Sequence, residues 1–252
     1  PLSTLPGAGV ALKFAEALLT RYKETDNSIS LHDLAAIGSI ADLAELTGDT
    51  RFIVQSGLDQ LNSYPRKAIA EMLTASGVSS GRITEEIVSF NLAPRLNAMG
   101  RLDDANPMVE FLLSTDRGLI SQEINRLEGI NERRKILCDQ VIQGALAQIE
   151  NDPALLNHPA LILKHPEWPA GVVGIVASLL VELFHRPVFL LVSPPGQPMR
   201  GSARSIEGVD ITSILSQNQE HLLTFGGHPM AAGLSVPENA FAAFSNAIYS
   251  TI

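Results

Sequence analysis

The sequence predicts an α/β protein in two parts: a mostly helical first part and a small α/β second part, joined by one long helix. Three observations predict it. Apolar residues recur at helical spacing through most of the first 115 residues. Residues 116–150 keep Ile120, Ile124, Leu127, Ile130, Leu137, Val141, Ala145 and Ile149 in steps of three, four or seven, with no proline. After residue 152, short apolar runs of strand length alternate with helical stretches.

The elements follow in order. Residues 8–22 (AGVALKFAEALLTRY) place Val10, Phe14, Ala17 and Leu18 on one helical face. Residues 31–46 are apolar with isolated acids and read as a second helix. Two short amphipathic helices are expected over 50–61 and 66–75, broken by Ser63-Tyr64-Pro65. Residues 76–82 (SGVSSGR) are a loop by composition, and Thr84 is placed to cap the next helix. The helix over 116–150 would be about 50 Å long at ~1.5 Å per residue. Its middle, residues 131–135 (NERRK), reads as solvated, and Asn151-Asp152-Pro153 ends it. Beyond it, residues 160–163 and 187–192 read as buried strands around a helix over 171–185. Residues 199–206 (MRGSARSI) alternate as a third strand or strand edge, and helices are expected over 210–217 and 241–252. The domains expected are therefore 1–115, a connecting helix over 116–150, and 151–252.

Composition excludes several classes. Apolar residues are 45% and charged residues 18% of the 252, enough for a proper core and too apolar for wholesale disorder. The net charge of −9 argues against a protein that coats nucleic acid by charge alone, though not against a local basic groove. Both parts are acidic: residues 1–150 carry 14 basic and 20 acidic side chains, residues 151–252 carry 4 and 7. The single Cys138 rules out a disulfide framework and a cysteine-based zinc site. No apolar run is long enough to cross a membrane, and no signal peptide is visible. The expectation is no membrane partner and a cytoplasmic location. A chain opening on Pro1 is expected to be a fragment or a processed form.

Four segments can carry chemistry. In FGGHPMAAG, Gly226 and Gly227 permit close backbone approach, and His228 can donate a hydrogen bond to an anion. The plainer alternative is a tight turn with a satisfied histidine. In RGSARS, Ser202 and Arg204 are two apart and share one strand face, where hydroxyl and guanidinium together suit phosphate. In PRLNAMGRLDDA, Arg101 and Asn97 suit phosphate or sugar contacts. Asp103 and Asp104 in that segment either ligate metal, neutralise Arg101 or cap the following helix. Asp42, after an apolar run, is a carboxylate that needs a partner or a metal if buried. Trp168 is a candidate for base stacking, about 1–3 kcal/mol per base, or for the core.

Seven segments, GAGVALKFA, AAIGSIADLAEL, PRLNAMGRLDDA, HPEWPAGVVGIVAS, FHRPV, RGSARSIEG and FGGHPMAAGLS, keep the order and spacing of one family. The chain resembles the RecJ family of single-strand-specific DNA exonucleases, within the DHH phosphoesterase superfamily. The resemblance implies the C-terminal part of a DHH domain over 1–115, the connecting helix, and a DHH-associated substrate-binding domain over 151–252. It implies phosphodiester hydrolysis by two divalent cations, Mn²⁺ or Mg²⁺, on single-stranded DNA from its 5′ end, in DNA repair and recombination. A single-strand-binding protein or a helicase is an expected partner. By position, Asp42 matches a metal ligand and Arg101 a residue facing nucleic acid. Ser202 and Arg204 match the holders of a terminal phosphate, and Gly226, Gly227 and His228 match a substrate loop. Two departures stand out. The Asp-His-His and Asp-x-Asp motifs are absent and would precede Pro1, so the expectation is a substrate-binding part that is inactive alone. Pro169 follows Trp168 where many members carry histidine. The rival readings are a DHH phosphodiesterase of short oligonucleotides or cyclic dinucleotides, and a non-catalytic DNA-binding scaffold.

Overall fold

The computed structural model describes residues 5–22, 31–78 and 81–252. They divide into two compact units, residues 1–132 and 133–252, and the dividing point lies inside one helix. That helix, α8 in the numbering below, runs from Arg117 to Asn151.

The first unit is helical. Its elements are α1 (Gly7–Arg21), α2 (His32–Ala41), α3 (Gly48–Ser63), α4 (Lys67–Ala75), α5 (Glu85–Ile87), α6 (Ala93–Leu102), α7 (Pro107–Leu113) and the first half of α8. Helices α2 and α3 pack backbone to backbone at Gly57. A Cβ there would lie 2.2 Å from the His32 carbonyl oxygen, so only glycine fits. The core gathers Ile37, Ile40, Val54, Leu61, Ile69, Met72, Leu92, Met99, Phe111, Ile120 and Leu127. In the first turn of α2, the wholly buried Asp33 accepts from Nε of Arg66 at 2.6 Å and from Nη2 at 3.2 Å. Thr84 caps α5 as expected, its hydroxyl accepting from the Ile87 N–H. Between α5 and α6, residues Val88–Leu92 widen into a π-helical turn, with the Ala93 N–H donating to the Val88 carbonyl. Pro94 has no N–H for the next helical bond and its ring would crowd the Phe90 carbonyl; the wider turn relieves both.

Three expectations for this unit are corrected. Helix α1 forms, but Val10, Phe14 and Leu18 face outward, Phe14 being 66% exposed, while Gly9 and Leu12 are buried. Periodicity marks an apolar face without saying whether anything covers it. The second helix stops at Ala41 rather than residue 46. In the middle of α8, Asn131 is only 3% exposed, so that stretch is not solvated throughout.

The second unit is a five-stranded mixed sheet with helices on both faces. Its strands are β1 (Leu161–His165), β2 (Val188–Val192), β3 (Met199–Arg204), β4 (Thr224–His228) and β5 (Ala231–Val236), in the order β1-β2-β3-β5-β4. Strands β1 and β2 are parallel, joined by α9 (Ala170–Phe184); every other pairing is antiparallel. Helix α9 buries Val172, Val173, Val176, Ala177 and Leu180. On the other face, α10 (Ile211–Gln217) and α11 (Phe241–Thr251) close a core of Phe189, Leu191, Ala203, Leu234 and Phe244. Arg186 donates to the carbonyls of Leu156 and His158 at 2.7 and 2.8 Å and so fixes the chain entering β1. Two strands are a correction: β4 and β5 lie where FGGHPMAAG reads as a tight turn. The segment is a hairpin whose tip is Pro229-Met230, with Gly227 in β4. A Cβ on Gly227 would meet the Ala231 carbonyl oxygen at 2.2 Å. No helix among the described residues is long and apolar enough to cross a membrane.

Candidate nucleic-acid interface

The second unit holds the denser group of candidates. The register of β3 pairs Ser202 with Gly233 of β5, and Gly233 with Gly226 of β4. One row on, Arg204 pairs with Ala231, and Ala231 with His228. Directly paired residues and residues two apart share a sheet face. Ser202, Arg204, Gly226 and His228 therefore lie on one face, which is the face that α9 covers further along the sheet. Gly174, in the N-terminal half of α9, marks the meeting point. A Cβ on it would lie 2.9 Å from Nη2 of Arg204 and 3.2 Å from Oγ of Ser202. The hydroxyl and the guanidinium thus converge beside the same bare stretch of helix. Arg204 also donates through Nη1 to the Ala203 carbonyl at 2.9 Å, which limits where its fork can point.

The hairpin tip holds this arrangement. The Ser205 N–H donates to the Met230 carbonyl and the Ile211 N–H to the Pro229 carbonyl, both at 2.9 Å. His228, next to the tip, is exposed together with all of β4. Asp210 caps α10 just below. The Thr212 hydroxyl, and after it the Ser213 N–H, hold its carboxyl below the usual carboxylate range.

Gly227 pairs with Ala232 and so lies on the opposite face of β4 from Gly226 and His228; like the rest of β4 it is exposed. Trp168 is corrected as a stacking platform: it is 6% exposed and stacks on His165, with ring centroids 5.6 Å apart. Its indole nitrogen lies 3.3 Å from where a Gly144 Cβ would stand. The core alternative holds for it.

In the first unit, Asp42 and Arg101 line one groove of about 640 Å³ together with Gly7, Ala8, Asn97 and Gly100. Asp42 ends α2, and the chain turns there by a Schellman arrangement. The Leu43 N–H reaches the Ile40 carbonyl and the Ala44 N–H the Ser39 carbonyl, both at 3.1 Å. The left-handed position is Leu43, at φ 53°, where glycine is usual. Arg101 and Asn97 are one turn apart on α6. Two ties anchor α6 on α8: Arg95 to Glu128 and, beyond the helix end, Asp103 to Arg126 at 2.9 Å. Asp103 is therefore engaged with Arg126 and raises its pKa. Asp104 accepts from the Asn106 N–H at 3.0 Å in the turn before α7 and does not cap that helix.

The donor set can be tested against a two-metal centre. Asp42 is one exposed carboxylate, and no group of three or more histidine, cysteine, aspartate or glutamate side chains that could hold a metal occurs among the described residues. These residues do not make such a centre by themselves.

Sequence reasoning missed Gly174, Asp33 and the Arg95–Glu128 tie. Gly174 carried a faint signal, a second glycine three residues after Gly171 inside an otherwise apolar helix. The ion-pair partners are 33 residues apart in each case and left none.

Comparison with known proteins places the chain among characterised folds. Residues 157–252 match the DHHA1 domain, so the second unit carries a DHHA1 domain. Along nearly its whole length the chain is similar to RecJ exonucleases. It is 39% identical over 237 residues to the single-stranded-DNA-specific exonuclease RecJ of Bacillus subtilis, covering 94% of this chain and 29% of that protein. RecJ of Thermus thermophilus in complex with Mg²⁺ matches at a TM-score of 0.85 and 32% identity, over 98% of this chain and 38% of that one. The same protein in complex with Mn²⁺ matches equally, over 36% of its chain. The chain thus spans well under half the length of these relatives.

Proposed function

We propose that this chain is the strand-gripping part of a single-strand-specific DNA exonuclease that works from the 5′ end in repair and recombination. The observation that carries the reading is the convergence of Ser202 Oγ and Arg204 Nη2 on Gly174 of α9. A hydroxyl and a guanidinium beside the N-terminal half of a helix make a receptor for a terminal phosphate. His228 stands two strands away on the same face, where it can donate to the next phosphodiester. Arg101, with Asn97, supplies backbone contacts in the groove of the first unit, and Asp42 supplies one carboxylate toward a Mn²⁺ or Mg²⁺ centre. No step of hydrolysis is assigned to these residues, because one carboxylate does not assemble that centre. We divide the chain as 1–115, the C-terminal part of a DHH domain; 116–150, a connecting helix; and 151–252, the DHH-associated domain. The named relatives support the substrate class, and a single-strand-binding protein or helicase is the partner class that a strand-end nuclease would meet in the cytoplasm.

The test is digestion of a labelled 5′-phosphorylated single strand with Mn²⁺, using this chain and a longer protein that adds an upstream Asp-His-His segment. The expected result is cutting by the longer protein only, reduced at least tenfold by Arg204→Ala. Cutting by this chain alone would overturn the assignment of a binding part. No cutting by either would favour the non-catalytic scaffold.

A further inference from the structure

Residues 151–252 contain four cationic side chains, Lys164, Arg186, Arg200 and Arg204. Two of them serve the fold. Lys164 sits over the Phe241 ring, 4.2 Å from its centroid, and Arg186 is spent on the Leu156 and His158 carbonyls. The other two both lie on β3, four residues apart, with Ser202 midway between them on the same face. Arg200 is exposed. A solvated arginine at that spot brings nothing to the sheet that a neutral residue would not.

The surface beside this row is bare. Gly233, paired with Ser202 on one side and with Gly226 on the other, and Gly226 itself would each carry a Cβ into open space. Gly57, Gly201 and Gly227 are different, since a Cβ on any of them would strike backbone at 2.2 Å. The fold therefore requires glycine at those three positions but not at 226 or 233, and glycine weakens a strand interior. Close approach of another backbone is the remaining physical reason for it.

We infer that this face is a strand-tracking subsite that continues the phosphate receptor: Arg200 takes a further phosphate of the same single strand, beyond the phosphodiester that His228 faces, and the Gly226–Gly233 pair is the floor on which the intervening sugars lie. Arg200 and Arg204 are separated by roughly 13 Å along β3, and the two-glycine floor extends about 10 Å across it. A phosphorylated end held at Ser202 and Arg204 thus has a second cation within reach of a following nucleotide and a bare floor beside it. The inference rests on the proposed phosphate receptor and adds Arg200 and Gly233 as positioning residues for the strand.

The test measures binding of 5′-phosphorylated single strands by fluorescence anisotropy over a salt series, with a 5′-phosphorylated dinucleotide titrated by NMR as the short ligand. Arg200→Ala is expected to weaken a 12-nucleotide strand about tenfold, to lower the salt slope by about one, and to change dinucleotide affinity less than twofold. Gly233→Val is expected to leave the melting temperature unchanged or higher while strand affinity falls at least tenfold. Gly233→Ala is the milder variant, read in the same way should valine disturb the hairpin. If Arg204→Ala weakens binding but Arg200→Ala and both Gly233 variants do not, the tracking subsite is wrong and the phosphate receptor stands. If Arg204→Ala also leaves binding unchanged, both are wrong.

Discussion

Asp33 shows how much one residue decides in the first unit. Its carboxylate is fully buried, receives two guanidinium bonds from Arg66 and one from the Leu34 N–H at 2.9 Å, and starts α2 against α3. Removing it would take the carboxylate away from the largely buried guanidinium of Arg66. Breaking such a pair costs about 3–5 kcal/mol. Asp33→Ala is therefore expected to lower unfolding stability by that amount in a denaturant titration, and a change below about 1 kcal/mol would show the pair to be dispensable. At the same scale, Ser202 and Arg204 were legible because a period of two is a local property of a strand. Their partner Gly174 was not, since nothing local links a helix glycine to a strand 28 residues later. Leu43 in the left-handed region was equally hidden, because Asp-Leu is not a sequence that announces a left-handed turn.

Among the elements, the helices were readable from apolar spacing, Thr84 from its capping chemistry, and the end of α8 from Asn151-Asp152-Pro153. Strands β4 and β5 were not. They contain three glycines and β4 is exposed along its whole length; only β5 alternates, through Ala232, Leu234 and Val236, and the glycines and the Pro229-Met230 tip mask that short pattern. Pairing with β3 makes them strands, which is a tertiary fact. The hairpin tip depends in turn on α10, whose cap titrates. Hydrogen bonds from Thr212 and Ser213 put the Asp210 carboxyl below its ordinary range in the folded chain. The folded form thus binds a proton less readily than the unfolded one. The cap's stabilisation is present above the ordinary carboxylate pKa and is lost as pH falls through the lowered value. Amide exchange at Thr212 and Ser213 should accelerate over that acid range in the native chain and be pH-flat, beyond the intrinsic rate, in Asp210→Asn. Equal pH dependence in both would remove the cap from the account.

Taken as a whole, the molecule joins a helical unit and a DHHA1 unit through a single 35-residue helix, and each unit carries its own candidate surface. The division into a helical and an α/β part was readable because texture changes at residue 152. The outward apolar face of α1 was not, since burial depends on what lies opposite. Net charge points away from nucleic acid, yet two of the four cations in residues 151–252 share one face of one strand. Affinity should therefore be local, modest and steeply salt-dependent rather than spread over the surface. The measurement that tests this most directly is anisotropy of this chain with one single-stranded sequence bearing either a 5′-phosphate or a 5′-hydroxyl, across a salt series. The account predicts tighter binding of the phosphorylated strand, with Arg204→Ala abolishing the difference. Equal affinity for both ends, or tight binding that salt does not weaken, would contradict it.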